Sequence, residues 1–149
     1  MIMKLKQIFE NKKQYLDLLL LADEQEDMID RYLDRGEMFL LKDGDIKAVA
    51  VVTAEGSDTC ELKNLAVLPA EQRRGYGRKM IELLCAQYAG QYRRMLVGTG
   101  EAPGTMAFYR HCGFVYSYRM PDFFSENYVH PIWEDGVLLK DMIYFVKKI

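Results

Sequence analysis

A glycine-containing loop between a predicted strand and a predicted helix carries residues suited to binding an anion. The loop and the first residue after it read Gln72-Arg73-Arg74-Gly75-Tyr76-Gly77-Arg78. The first amides of a helix lack intrahelical acceptors and lie at the positive end of the helix dipole, so they can bind phosphate oxygens. The glycines allow close backbone approach, the arginines add cations, and Gln72 adds an amide donor. The loop therefore predicts a phosphate-binding site.

Two common nucleotide-binding signatures do not fit this loop. It lacks the Gly-Lys-Ser/Thr ending of a P-loop, and Met80 stands where a Gly-x-Gly-x-x-Gly motif needs its third glycine. Two glycines alone are also compatible with an ordinary basic turn at a helix start. Whether the loop is a phosphate site or an ordinary turn therefore depends on the elements around it.

The strand before the loop changes the face on which its apolar side chains lie. Cys60 and Leu62 occupy even positions, whereas Leu65 and Val67 occupy odd ones. Because strand side chains alternate, this change indicates either a strand buried on both faces or a β-bulge. A bulge would leave main-chain N–H and C=O groups unpaired, and such groups could bind a ligand.

The remaining pattern gives the elements that must position this strand and loop. Alternation and turn signals predict strands at Lys4–Ile8, Met38–Lys42, Ile46–Ala54, Thr59–Leu68, Met95–Val97, Phe114–Tyr118 and Met142–Val146. Helical spacing predicts helices over Tyr15–Ala22, from the acidic run Asp23–Asp27 to Gly36, from Arg78 to Tyr88 and from Met106 to Arg110. The aromatic-rich stretch Met120–Lys140 is predicted to be a loop.

Composition limits the function classes. The 149 residues fit one compact domain, and a formal net charge of -2 gives no basic field for nucleic acid. Three widely spaced cysteines without a CxxC pair fit neither a disulfide framework nor a zinc site, so we expect no metal and a reducing cytoplasm. No apolar run is long enough for a membrane span or a signal peptide, so no membrane association is expected.

Three motifs together resemble the GCN5-related N-acetyltransferase (GNAT) family. The loop is similar to the family's Gln/Arg-x-x-Gly-x-Gly/Ala signature, and Leu65-Ala66-Val67-Leu68-Pro69 resembles its bulged strand and hydrophobic-x-Pro exit. Ala107-Phe108-Tyr109-Arg110-His111-Cys112-Gly113-Phe114 resembles a shortened form of its Ala-x-x-Phe-Tyr-x-x-x-Gly-Phe motif. The motifs occur in the family's order and cover about residues 60 to 118. One departure is Gly104, where many family members carry Asn.

The resemblance implies a fold and a cosubstrate. The fold would be mixed α/β (α+β), with a mostly antiparallel sheet of about six to seven strands and about four helices, in a single domain over residues 1–149. Acetyl-CoA would be bound with its pyrophosphate on the loop, by Gln72, Arg73, Arg74, Gly75, Tyr76, Gly77 and Arg78, with only the backbone of Tyr76 in contact. Main-chain N–H groups around Leu65, Ala66 and Val67 would line the pantetheine arm and polarise the thioester carbonyl.

Two side chains are candidates for proton transfer during acetylation of an amine. The resemblance implies that Tyr109 protonates the leaving thiolate, although its spacing also fits a half-buried core tyrosine. Glu61 stands where several family members have a general base that acts directly or through water. It could equally be a solvent-facing strand carboxylate, or one paired with Lys63.

The sequence leaves open whether the acceptor is a small-molecule amine or a peptide amine, and whether the protein forms a homodimer. If the acid-rich segment Asp23–Asp34 borders the acceptor entrance, a small cationic amine is favoured. The stretch Met120–Lys140 could wall that entrance or pack on the sheet. A non-catalytic acyl-CoA-binding sensor or subunit, and a nucleotide-binding α/β domain, are the alternative functions. A homodimer could form through the apolar strand Met142–Val146.

Overall fold

The computed structural model describes residues 3–149, and a seven-stranded sheet forms its centre. Numbered by chain order, the strands follow one another in space as β1 (Lys4–Ile8), β2 (Glu37–Asp43), β3 (Asp45–Ala54), β4 (Thr59–Val67), β5 (Arg94–Gly100), β9 (Met142–Lys148) and β6 (Val115–Met120). All neighbouring pairs are antiparallel except β4 and β5, which are parallel. A separate hairpin consists of β7 (Trp133–Glu134) and β8 (Val137–Leu138). The predicted fold class is confirmed.

Helices cover both faces of the sheet. On one face, α1 (Leu16–Ala22) and α2 (Glu26–Asp30) bury Leu19 and Ile29 against β2 and β3. On the other face, α3 (Tyr76–Tyr88) and α4 (Pro103–His111) contribute Leu84 and Tyr109 to the larger core. A fifth helix, α5 (Phe123–Asn127), packs Phe124 on a third, smaller cluster. The central strands are therefore buried on both sides, as near-continuous apolar runs such as that of β3 require.

The change of face in β4 comes from a β-bulge. Val51 of β3 pairs with Asn64, but the next residue, Val52, pairs with Leu62, so Lys63 has no partner in β3. The sequence allowed either a bulge or a strand buried on both faces. Both are present, because β4 is also buried on both faces. The bulge exchanges the faces of all later side chains, which sends Leu65 towards α3.

The parallel strands β4 and β5 separate soon after they meet. They are paired only where Thr59–Leu62 run beside Arg94–Val97. Beyond Leu62, β4 stays on β3, while β5 continues along β9 up to Gly100. The sheet is therefore split at the carboxyl ends of its two central strands.

Three predictions for the outer segments need correction. The stretch Met120–Lys140 contains α5 and the β7–β8 hairpin and is not only loop. The second helix is short and begins at Glu26, with Asp23 ending α1 instead of capping α2. Strand β9 is interior, since β5 and β6 occupy both of its edges, so it cannot pair with the sheet of a second copy as predicted. Within residues 3–149, no helix is both long and apolar enough to cross a membrane.

Candidate active site

The split between β4 and β5 opens into a cleft of about 280 Å³. Leu62 and Leu65, which face α3, line it together with Asn64, which lies on the α1 side and bonds to that helix. Tyr109 of α4 and Asp23 at the end of α1 border the same cleft. The cleft thus passes through the sheet and connects its two faces.

Alternation along β4 decides which main-chain groups face the split. The N–H of Leu68 donates to the C=O of Lys47 at 3.0 Å, on the β3 side. Counting back along this antiparallel pair, the groups of Ala66 also face β3, whereas those of Val67 and Leu65 face the split. Leu65, Ala66 and Val67 were all expected to offer main-chain N–H groups to the thioester. The groups of Ala66 are not available for this, because they pair with β3.

The loop after β4 presents a series of amides without acceptors. Arg73 and Gly75 have positive φ angles of 64° and 85°, and the first helical bond runs from the N–H of Lys79 to the C=O of Gly75. Within residues 3–149 the amides from Arg73 to Arg78 find no protein acceptor. Gln72 uses its side-chain amide differently from expectation, donating at 3.2 Å to the carbonyl of Val67. Free amides and exposed arginines make this turn a suitable anion site.

Tyr76 and Gly77 fix the loop against the fold. The Tyr76 ring is buried and its hydroxyl donates to Asp43 at 2.9 Å, so its side chain anchors the helix start. A Cβ on Gly77 would lie 3.0 Å from Cζ of Phe108. Only glycine therefore lets α3 approach α4 this closely without displacing that ring.

Tyr109 has a free hydroxyl at the cleft. It packs edge-on against Phe108 and Phe114, and its hydroxyl has no hydrogen-bond partner among the described residues. Burial raises the pKa of Tyr109 above its ordinary value. The phenol therefore stays protonated and can donate a proton or hydrogen bond to a group in the cleft.

Glu61 is buried and ion-paired, so it is not the solvent-facing carboxylate considered from the sequence. Its side chain is 8% exposed and lies 3.0 Å from the Lys63 ammonium. Burial raises the pKa of Glu61, and the Lys63 charge opposes that rise. Lys63 lines the cleft, whereas Glu61 is not among the described residues that line it.

A polar network on the α1 side was missed by the sequence reasoning. The Asp23 carboxylate accepts hydrogen bonds from the hydroxyls of Tyr32 at 3.0 Å and Tyr128 at 2.6 Å. The Asn64 amide nitrogen donates to the Tyr32 hydroxyl and to the carbonyl of Leu19. The acidic run and the polar residue beside the bulge were visible signals, but nothing in the sequence paired them.

The β7–β8 hairpin closes over the start of α4. Asp135 accepts a hydrogen bond from the Gly104 amide at 3.2 Å, and Glu134 accepts one from the Thr105 hydroxyl. A Cβ at position 104 would lie 2.6 Å from Oδ2 of Asp135. A side chain at this position would therefore have to move the Asp135 carboxylate away from the Gly104 amide. Among the described residues no His, Cys, Asp and Glu cluster is arranged to hold a metal ion.

Comparison with known proteins gives the same family as these features. The acetyltransferase (GNAT) domain family matches residues 34–116, which contain the bulge, the loop and α4. YvbK, an uncharacterized N-acetyltransferase of Bacillus subtilis (strain 168), is 33% identical over 138 residues, covering 90% of this chain and 88% of the relative.

Two crystal structures are similar over nearly their whole length. A GNAT family acetyltransferase from Elizabethkingia anophelis with acetyl-CoA bound has a TM-score of 0.92 and 31% identity, covering 99% of this chain and 98% of that one. A Bacillus subtilis acetyltransferase in complex with CoA has a TM-score of 0.87 and 30% identity, with 99% of each chain covered. With the split sheet, the bulge and the free loop amides, these matches establish that the chain belongs to the GNAT family of acetyltransferases.

Proposed function

We propose that this protein transfers the acetyl group of acetyl-CoA to a primary amine, in a single domain formed by residues 1–149. The main support is the cleft through the sheet, where free main-chain groups of β4 and the unpartnered Tyr109 hydroxyl meet. The two relatives crystallised with acetyl-CoA and with CoA support the same cosubstrate.

The pyrophosphate would bind to the loop, and the thioester arm would enter the split. The unpaired amides from Arg73 to Arg78 would chelate phosphate oxygens, and the side chains of Arg73, Arg74 and Arg78 would supply charge. The pantetheine arm would lie along β4 and hydrogen-bond to Leu65 and Val67 in place of the missing strand neighbour. An N–H at this edge would polarise the thioester carbonyl.

Transfer would proceed by direct attack within a ternary complex. The uncharged amine nitrogen attacks the thioester carbonyl carbon, the carbon–sulfur bond breaks, and the thiolate takes a proton from Tyr109. The proton lost by the amine would pass through water to Glu61. The raised pKa of the buried Glu61 carboxyl supports this assignment, because a base works best when its pKa lies nearer the working pH.

Calorimetry and turnover together test this proposal. We expect acetyl-CoA and CoA to bind, and at least one primary amine in a chemically varied panel to release free thiol from acetyl-CoA. ATP binding without CoA binding would replace the assignment with a nucleotide site. Acetyl-CoA binding without turnover of any amine would identify a non-catalytic acyl-CoA-binding module.

Charge-removing variants separate the loop from general surface charge. Arg73→Gln combined with Arg78→Gln should weaken acetyl-CoA binding by about 100-fold, since each removes a charged hydrogen-bond donor that contributes about tenfold. Arg93→Gln removes an exposed cation from another part of the chain and should leave the affinity unchanged. An equal loss of acetyl-CoA affinity in both variants would show that net charge, and not the loop, governs binding.

A further inference from the structure

Asp23 is a cleft carboxylate that is held in place but not neutralised. Two tyrosine hydroxyls, of Tyr32 and Tyr128, donate to its two oxygens. No Lys, Arg or His side chain within residues 3–149 forms an ion pair with it. These two neutral donors orient the carboxylate yet bring no positive charge, so its charge is available to a cationic ligand.

Asn64 adds a buried acceptor without a donor. The residue is 3% exposed and lines the cleft, and its amide nitrogen donates to the carbonyl of Leu19. Because a main-chain carbonyl can only accept, the Asn64 amide atom that contacts it must be the nitrogen. The amide oxygen, Oδ1, therefore points away from this contact. Oδ1 has no hydrogen-bond partner among the described residues. A buried orphan acceptor costs stability unless a ligand donor meets it.

The charge and aromatic lining of the cleft also favour a cation. Three carboxylates, those of Asp23, Glu24 and Glu134, line it, whereas its one basic residue, Lys63, is already paired with Glu61. Three aromatic residues complete the wall: Tyr128 and Phe124, whose rings stack, and Trp133. Carboxylates combined with aromatic faces are the usual surroundings of a bound ammonium group.

We propose that Asp23 and Asn64 form a subsite for a second, protonated amino group of the acceptor, so that the acceptor is a diamine or a longer polycationic amine. This inference rests on the proposed acetyl transfer. The attacking nitrogen must be uncharged, so the group held by the Asp23 carboxylate is a different nitrogen from the one acetylated. Ammonium N–H groups would donate to Asp23 and to the orphan Oδ1 of Asn64.

Matched acceptors test the subsite in the unmodified protein. Unbranched α,ω-diamines are compared with monoamines and amino alcohols of the same chain length, at saturating acetyl-CoA. The best diamine should have a KM about 10- to 100-fold below that of its monoamine and amino alcohol, since a hydrogen-bonded charge pair contributes that much affinity. Equal KM values across each matched set would overturn the proposal.

The variant Asp23→Asn keeps the side-chain size but removes the charge. It should raise the KM of the diamine to that of the monoamine and leave kcat and the monoamine KM nearly unchanged. Asp17→Asn is the matched control, because it makes the same change at an exposed position of the same helix. A fall in kcat for all acceptors alike would make Asp23 a proton acceptor and refute the subsite.

The outcomes separate this inference from the function on which it rests. Failure to bind acetyl-CoA would remove the acetyl transfer itself. Acetyl-CoA binding with turnover of monoamines, but without preference for diamines, would remove only the subsite. The comparison of acceptors in the unmodified protein decides the matter even if Asp23→Asn does not fold.

Discussion

Replacement of Tyr109 by Phe separates the chemical role of the hydroxyl from the packing role of the ring. The ring contacts Phe108 and Phe114 with centroid distances of 5.1 and 5.7 Å, and Phe preserves both contacts. The hydroxyl makes no hydrogen bond to the described residues, so its removal leaves no protein group unpaired. The free energy of unfolding should change by no more than about 0.5 kcal/mol.

The rate should respond far more strongly than the stability. A positioned general acid contributes about 10²- to 10⁴-fold, so the chemical step of Tyr109→Phe should slow by that factor. Acetyl-CoA affinity should stay within about twofold, because the hydroxyl acts on the leaving thiolate and not on the bound thioester. Since burial raises the pKa of Tyr109, the wild-type rate should show no alkaline loss from this group near the ordinary tyrosine pKa of about 10.

Single-turnover rates are the suitable measurement, since they report the chemical step even where product release limits kcat. Tyr88→Phe is a matched control with the opposite expectation. The Tyr88 hydroxyl donates to Glu37 at 2.8 Å on the far side of the α3 core, so its removal should cost about 1 kcal/mol of stability and leave the rate unchanged. A single-turnover rate of Tyr109→Phe equal to wild type would show that another group protonates the thiolate.

Three further substitutions test neighbouring contacts. Gly104→Asn should push the Asp135 carboxylate off the main-chain amide of residue 104, because its Cβ would meet that carboxylate, and faster hydrogen exchange of this amide would show it; unchanged exchange there would contradict this contact. Lys63→Met leaves Glu61 buried without its cation and should cost roughly 1–3 kcal/mol in chemical denaturation, whereas adding Glu61→Gln should recover most of it; no recovery would mean that Lys63 stabilises by packing. Arg119 holds the pKa of Glu101 below its usual 4.5, so this contribution is present above that pH and is lost as the pH falls through the lowered pKa. The melting temperatures of wild type and Arg119→Gln should therefore converge in acid, and a constant difference would exclude the ion pair as its cause.

The elements near the loop could be predicted because their signals are local. The change of parity between Leu62 and Leu65 locates the bulge within one residue of Lys63, where the ladder loses its register. Glycine is needed at position 75 because φ is positive there, and at position 77 because α3 comes close to α4 there. Such patterns follow from alternation and turn chemistry, which act over a few residues.

The contacts on the α1 side of the cleft could not be predicted, because they join segments that are distant in the sequence. Asp23 and Tyr128 are 105 residues apart in the chain, and no periodicity relates them. The short helix α5 and the hairpin are fixed by tertiary contacts, such as the packing of Phe124 on Leu139, and not by strong local propensity. For Glu61 the sequence offered the observed pairing with Lys63 only beside a solvent-facing position, since its burial depends on the elements packed around β4.

The short ladder between β4 and β5 affects the order in which the donor and the amine are expected to bind. In the part of the chain that the structure describes, only four residue pairs join the block β1–β4 to the block β5–β9–β6 through the sheet, those between Thr59–Leu62 and Arg94–Val97. Small rotations of one block against the other should therefore concentrate at this seam when no thioester arm is present. A donor molecule bound along β4 would fill the gap and hold both blocks in one relative position. The cleft proposed to receive the amine borders the same seam. If acetyl transfer is the function, we therefore expect the donor to bind first and the amine second.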